Sequence, residues 1–186
     1  MRIIGGIHKG RMIAASQGMN VRPTADRVRQ SMFNILEHGN FATKGNPIRD
    51  AIVLDAFSGT GALAFEALSR GAASATCMDI DQGSLRQIKK NAASLSETER
   101  LNVLLSDATN PPQAIASANL IFLDPPYGLG QVELALNALS NANWISKEAI
   151  IVAETGIKED LSIIDGFIIS DRRKYGKTAI TFIQTC

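Results

Sequence analysis

Asp124, Pro125, Pro126 and Tyr127 follow directly on the apolar run at residues 120–123. A carboxylate is out of place at the end of a buried run, and two prolines stiffen what comes next. Proline removes a backbone donor and fixes φ, so any acceptor beside it is held in one geometry. An acid, a rigid carbonyl and an aromatic face together suit the alignment of a flat, conjugated amine against an electrophile. The lone pair of such an amine is delocalised into its ring, which makes alignment the main help an enzyme can give. Asp124 would accept one N–H and later help the proton leave. The Pro125 carbonyl would accept the second N–H, with Pro126 fixing the turn. Tyr127 would stack under a base taken out of its stack. A plain tight turn would need neither the acid nor the aromatic.

A second group of residues could hold the electrophile's carrier. "LDAFSGTGALA" places Gly59 and Gly61 at a strand-to-helix turn, where the backbone can bend sharply and approach a ligand at a helix N-terminus. Asp79 lies 18 residues after Gly61, where a carboxylate can hold ribose hydroxyls. Asp107, at the end of "LLSDA", could accept from an adenine amino group. Phe57, Ser58, Ile80 and Ala108 flank these positions and complete the candidate cofactor-side residues, together with Asp124 itself. Alone, this glycine loop fits a nicotinamide dinucleotide almost as well as a nucleoside. Asp55, four residues before Gly59, tilts the choice, because it would repel a pyrophosphate and attract a cation. S-adenosylmethionine carries a sulfonium and an ammonium and no phosphate. Each acid alone could be a strand-end cap; Asp55, Asp79, Asp107 and Asp124 at four successive tips weaken that reading.

These tips require strands that end together. Short apolar runs beginning at residue 51 alternate with helical patterns: "AIVLDAF", "SATCMDID", "LNVLLSDA", "ANLIFLDPPY" and "EAIIVAET" as strands, with helices over "GALAFEALSRG", "QGSLRQIKKNAASLS" and "QVELALNALSNANW". Such alternation predicts a mostly parallel sheet covered on both faces, with ligands beyond the carboxyl ends of its strands. The tail predicts a hairpin turning at Gly176, with an antiparallel strand at the edge. Before the sheet, residues 2–14 predict a hairpin. "RPTADRVRQSMFNILEHG" predicts a helix with Thr24 as N-cap and Gly39 as its stop, and residues 40–49 a linker. The division is an extension over residues 1–45 and a main domain over 46–186. Trp144 reads as a core residue ending a helix, and His8 and His38 as surface residues.

The net charge of +1 is unevenly spread. Residues 1–50 hold eight Lys/Arg against three acids, while the rest is acidic by four. A basic end on an acidic body suits an anionic partner. Arg172, Arg173, Lys174 and Lys177 form a second cluster, beside Tyr175. Two cysteines without framework spacing predict a reducing compartment, with no disulfide and no zinc site. No apolar run approaches the roughly 20 residues of a membrane span, and "MRIIGG" lacks a signal-peptide core. The expectation is a cytoplasmic protein, by default a monomer, with no metal.

"DAFSGTGALAFEALSRGA", "DID" and "DPPY" resemble class I S-adenosylmethionine-dependent methyltransferases that act on amino groups. "DPPY" is shared with adenine-N6 and cytosine-N4 enzymes and gives the reaction type only. "GRMIAASQGMNVRPTADRVRQSMFNIL" narrows the resemblance to the RsmD type, bacterial enzymes that methylate guanine N2 in 16S rRNA. The closing "YGKTAITFIQ" is also similar, and the resemblance covers nearly the whole chain. It implies a Rossmann-like three-layer α/β sandwich: a mostly parallel seven-stranded sheet with an antiparallel last strand. It implies S-adenosylmethionine as cofactor and 16S rRNA as partner; the limited surface of so small a domain favours an assembling small subunit over naked RNA. Arg11, Arg22, Arg27 and Arg29 would be phosphate or cofactor-side contacts, joined by Arg173 and Lys174. Gln30 and Lys9 depart from the usual acid and arginine of the family. A DNA or other-RNA amino-methyltransferase and a non-catalytic nucleotide-binding module are the alternatives.

Overall fold

The computed structural model describes residues 1–15, 24–43, 45–126, 130–162 and 165–186, and of Thr24 and Ala25 the backbone alone. The five apolar runs become β1 (Ile52–Asp55), β2 (Ser74–Asp79), β3 (Leu101–Leu105), β4 (Ala118–Leu123) and β5 (Ile145–Gly156). The helices between them are α2 (Ala62–Ser69), α3 (Gln82–Leu95) and α4 (Gln131–Asn141), with α1 (Thr24–His38) ahead of the sheet. β6 (Phe167–Tyr175) and β7 (Thr178–Thr185) complete seven strands in the order β3-β2-β1-β4-β5-β7-β6. β1 to β5 pair in parallel, and β7 runs antiparallel to β5 and β6. The antiparallel strand therefore lies inside the sheet, and β6 is the edge.

Both faces of the strands are apolar because both are covered. Val53, Ala75, Phe122 and Val152 pack with α1, α2 and α3, while Leu54, Met78, Ile121 and Ile151 pack with α4. The result is the three-layer sandwich. Phe33 of α1 meets Phe122 of β4 with ring centroids 5.6 Å apart. Such a pair adds about 0.5–1.5 kcal/mol beyond its burial, and it holds α1 beside the tip of β4. Ile3 and Ile13 join the same cluster, so the packing runs unbroken from residues 1–45 into the sheet. Among the described residues, no helix is long and apolar enough to cross a membrane.

Several local expectations change. The amino-terminal hairpin holds a single bridge, Arg2 with Met12, rather than a ladder. α1 begins at Thr24 itself. The linker region contains a 3-10 turn, Asn40–Ala42, whose Phe41 stacks on Phe182 with centroids 5.0 Å apart. Trp144 lies past the end of α4, buried in the core, with its indole N–H donating to the Pro112 carbonyl at 2.8 Å. His8 is not a surface residue. Its ring lies 2.5 Å from the buried Glu97, against the C-terminal end of α3.

The hairpin is fastened by Glu66, fully buried on α2. Its two oxygens accept the backbone N–H groups of Ile4 at 2.8 Å and Gly5 at 2.7 Å. Arg70 pairs with the same carboxylate at 2.7 Å, reaches Glu37 of α1, and lies over the Phe33 ring. Arg29 approaches Glu66 from α1 at 3.8 Å. Removing one partner of a buried ion pair costs about 3–5 kcal/mol, because the other charge stays buried. Glu66→Ala is therefore expected to lower stability by at least that much in urea unfolding. A loss below about 1 kcal/mol would show that the network carries nothing.

Candidate active site at the carboxyl ends of the strands

A crevice of about 690 Å³ opens where β1, β2, β4 and β5 end, with α1 and the β1–α2 loop as walls. Its acids sit there because of strand register. Val53, Phe122 and Val152 face one side of the sheet, and the pleat carries Asp55, Asp124 and Glu154 onto the same side. Asp55 pairs in register with Cys77 and with Phe122, and Leu123 pairs with Ala153. Asp79, Asp124 and Glu154 thus lie level, and Asp55 is recessed by two residues, about 7 Å at the rise of a strand.

Depth decides the electrostatics. Asp55 is 1% exposed. Its Oδ2 accepts from the Ala64 N–H at 3.2 Å, and its Oδ1 has no hydrogen-bond partner among the described residues. Burial raises its pKa to about 7; the Ala64 hydrogen bond pulls the other way, and the Asp79 charge adds to the rise. Asp124 opens into the crevice and is exposed to water in the free protein. Desolvation by the crevice walls, then the charges of Glu154 and Asp55, push its pKa up. Water in the open crevice damps that push, and a ligand that displaces the water would restore it.

The loop after β1 needs its glycines for different reasons. Both take positive φ, 48° at Gly59 and 76° at Gly61. Gly59 lines the crevice and donates its N–H to Asp79 Oδ2 at 2.7 Å. Gly61 lies beneath the loop, outside the crevice wall: a Cβ there would meet Phe65 at 3.0 Å and Ile88 at 3.1 Å. Ser58 Oγ donates to the Met78 carbonyl at 2.7 Å and ties the loop to β2. Asp79 Oδ1 accepts from the Asp81 N–H at 2.8 Å, while Asp81 caps α3 through the Ser84 N–H at 2.7 Å. The two acids of "DID" therefore have separate roles, since Asp79 faces the crevice and Asp81 serves the helix.

The crevice gathers Asp55, Phe57, Ser58, Gly59, Asp79, Ile80, Asp107, Ala108, Asp124, Pro125 and Pro126, nearly all the residues expected to meet ligand. Tyr127, Arg22 and Pro23 lie outside the described residues. Asp107 stands apart from the level row. It lies two residues beyond β3, and its Oδ1 accepts from the N–H and hydroxyl of Thr109. Glu154 takes the place in that row that Asp107 leaves, and sequence reasoning missed it. Its position at the tip of the fifth strand, in phase with the apolar Ile150 and Val152, is the signal that could have found it. Met1, Met32 and Thr60 also line the crevice, and no local pattern announces them.

The basic residues separate into two kinds. Arg29 is 6% exposed and turned inward, bonded to Asp26 at 2.9 Å and to the Arg2 carbonyl at 2.7 Å. A buried, paired guanidinium cannot serve as a surface contact for phosphate, so that half of the expectation is corrected; Arg29 lines the crevice, on the cofactor side. Arg11 bends back to the Ser94 carbonyl of α3 at 2.5 Å, and Arg172 to Asp160 at 3.0 Å. Arg27, Lys174 and Lys177 are exposed, as is Arg173 beside Asp171. Ser31 of α1 and Tyr175 of β6 lie 2.6 Å apart, oxygen to oxygen, which joins the helix to the β6–β7 turn. β5 ends opposite the start of β7, Gly156 against Thr178, so this turn rises at the same end of the sheet as the crevice.

The chain matches the family model "Conserved hypothetical protein 95" over residues 1–184. It is 36% identical to Ribosomal RNA small subunit methyltransferase D of Escherichia coli, over 88% of this chain and 79% of that one. It is 32% identical to a putative rRNA methyltransferase of Bacillus subtilis, over 99% and 98%. Among solved structures, a putative methyltransferase from Escherichia coli superposes with a TM-score of 0.83 at 33% identity, covering 100% of this chain and 97% of that one. A putative methylase from Haemophilus influenzae gives a TM-score of 0.79 at 28% identity, covering 99% and 97%. With the Rossmann-like sheet, the strand-tip carboxylates and these likenesses together, the chain belongs to the RsmD family of class I methyltransferases.

Proposed function

We propose that the chain transfers a methyl group from S-adenosylmethionine to the exocyclic N2 of a guanine in 16S rRNA, within an assembling small subunit. The observation that carries this reading is the depth order of the carboxylates: Asp55 recessed and partly unpartnered, Asp124 level with the rim beside two prolines. The names of the Escherichia coli and Bacillus subtilis relatives support rRNA as the substrate.

The residues present fit this cofactor. The orphaned Asp55 Oδ1 is an acceptor suited to a cation, and a dinucleotide pyrophosphate would meet it with repulsion. Each Asp79 oxygen accepts one backbone N–H and keeps a lone pair for a ribose hydroxyl. Ile80 and Ala108 offer apolar surface for adenine, with Asp107 at its edge. The cofactor supplies a methyl group on a sulfonium, which needs no further activation. The protein's part is to align the amine. Asp124 accepts one N2 hydrogen and the Pro125 carbonyl the other, which turns the nitrogen lone pair toward the methyl carbon. Transfer of the methyl group to N2 would break its bond to sulfur and leave a neutral thioether, and the proton released from N2 would pass to Asp124. Tyr127, the last residue of the motif, would supply the stacking face for the base. RNA approaches over the exposed face of α1 and the β6–β7 turn, with Arg27, Arg173, Lys174 and Lys177 on phosphates.

Asp124→Ala is expected to reduce methyl transfer from labelled S-adenosylmethionine to unmethylated small subunits by at least ~100-fold, with S-adenosylhomocysteine binding retained. Transfer to DNA adenine alone would overturn the reading. Asp55 gives a pH dependence. Its raised pKa keeps it neutral in the free protein below about 7, so cofactor affinity should rise as pH climbs through that value. Calorimetric titration with S-adenosylmethionine should show this slope in the wild type and a flat profile in Asp55→Asn. The same carboxylate costs folding stability as pH rises from 3.8 through about 7, because the folded state holds the proton more tightly. Asp55→Asn should therefore gain on the wild type in urea unfolding at higher pH. Lys174→Ala with Lys177→Ala should lower the salt slope of RNA binding by about one per lysine; an unchanged slope would place the RNA elsewhere.

A further inference from the structure

We infer that Glu154 selects guanine, accepting the N1–H of the target base while Asp124 accepts an N2–H. This rests on the guanine-N2 reading of the crevice and names the residue that makes the crevice specific.

Asp124 and the two prolines meet only an exocyclic amine, and adenine, cytosine and guanine all carry one. The bases differ at the neighbouring ring nitrogen. Adenine and cytosine present a lone pair beside the amine, whereas guanine presents a second N–H donor. A single carboxylate on the amine cannot sense this difference, but a second acceptor next to it can.

The sheet places that second acceptor. Leu123 of β4 is in register with Ala153 of β5, so the next residues, Asp124 and Glu154, stand side by side at one level. Neighbouring strands are about 4.8 Å apart, close enough for two carboxylates to share adjacent atoms on one base edge. The pleat turns both toward the face that holds Phe122 and Val152, and both line the crevice. Glu154 is half-buried, and its charge is the foremost of those acting on Asp124. Behind the pair, Asp55 lines the same space, with one buried oxygen that has no hydrogen-bond partner among the described residues. Two acids held so close repel each other while the crevice is empty. A guanine edge relieves the repulsion with two donors, and Watson–Crick-edge donors at N1 and N2 occur together only in this base. An adenine or cytosine would set its ring lone pair against the Glu154 carboxylate in a water-poor site. Sites built around a required hydrogen bond reject analogues that lack it by as much as roughly 10⁴–10⁵-fold.

The test uses 2-aminopurine, which keeps the N2 amine and replaces the N1–H with a lone pair. Small subunits are reconstituted with 16S rRNA carrying guanine or 2-aminopurine at the methylated position, and kcat/KM is measured for each with the full chain. The wild type should prefer guanine by at least ~100-fold. Glu154→Gln can turn its amide N–H toward the ring lone pair. It should lose rate on guanine, gain on 2-aminopurine, and shrink the preference by ~10-fold or more. Glu154→Ala, which leaves the crevice open, should also shrink it. S-adenosylhomocysteine affinity, unchanged in both variants, shows that they are folded. If both substrates slow equally and the preference stands, Glu154 acts only by tuning the proton affinity of Asp124, and the inference fails. A wild type that methylates no guanine at all overturns the underlying reading instead.

Discussion

The buried Glu66 carboxylate is the interaction on which the crevice wall depends. A charge in that position is tolerable only with full compensation, and it receives two backbone N–H groups, Arg70 and, at longer range, Arg29. These partners come from the amino-terminal turn, α2 and α1. One side chain therefore fixes three pieces of chain around the crevice. Met1, Val28, Arg29 and Met32 line that space, and this fastening helps to hold them there. The burial of Phe33 against Phe122 adds apolar weight to the same placement.

Strand register does the rest. Residues at the end of a parallel sheet share a direction, yet they need not share a depth. Asp55 lies two residues below the level of Asp79, Asp124 and Glu154, and this offset separates their chemistry. The recessed acid is desolvated and suits a cation held out of water. The rim acids meet polar donors that arrive with the ligand. Asp124 is next to prolines, so its backbone is rigid at the rim of the crevice.

Much of this could be read along the chain. The alternation of short apolar runs with helical patterns led to the three-layer sheet, because strands buried on both faces show continuous apolarity. The β1 loop and its glycines, and the acids Asp79 and Asp124 at strand tips facing one crevice, were legible from type and spacing. The misreadings were of pairing. Arg29 was open as a phosphate or a cofactor-side contact, since nothing in "ADRVRQ" shows that Asp26 and Arg2 turn it inward, away from RNA. His8 looked exposed, since Glu97, its partner, lies 89 positions away. Gly61 keeps its expected place in the turn, where crowding by Phe65 and Ile88 leaves no room for a side chain.

The amino-acid sequence by itself determined which residues stand at strand tips, because the period of apolarity and the turn residues act over a few positions. It also determined the family, whose signature lies in contiguous stretches. Only the tertiary structure decided which tips are level, which acid is buried, and that Glu154 stands beside Asp124. Those outcomes depend on the register between strands far apart in the chain, and on what covers each charge. Neither leaves a local mark on the sequence, since desolvation and pairing belong to the packed molecule.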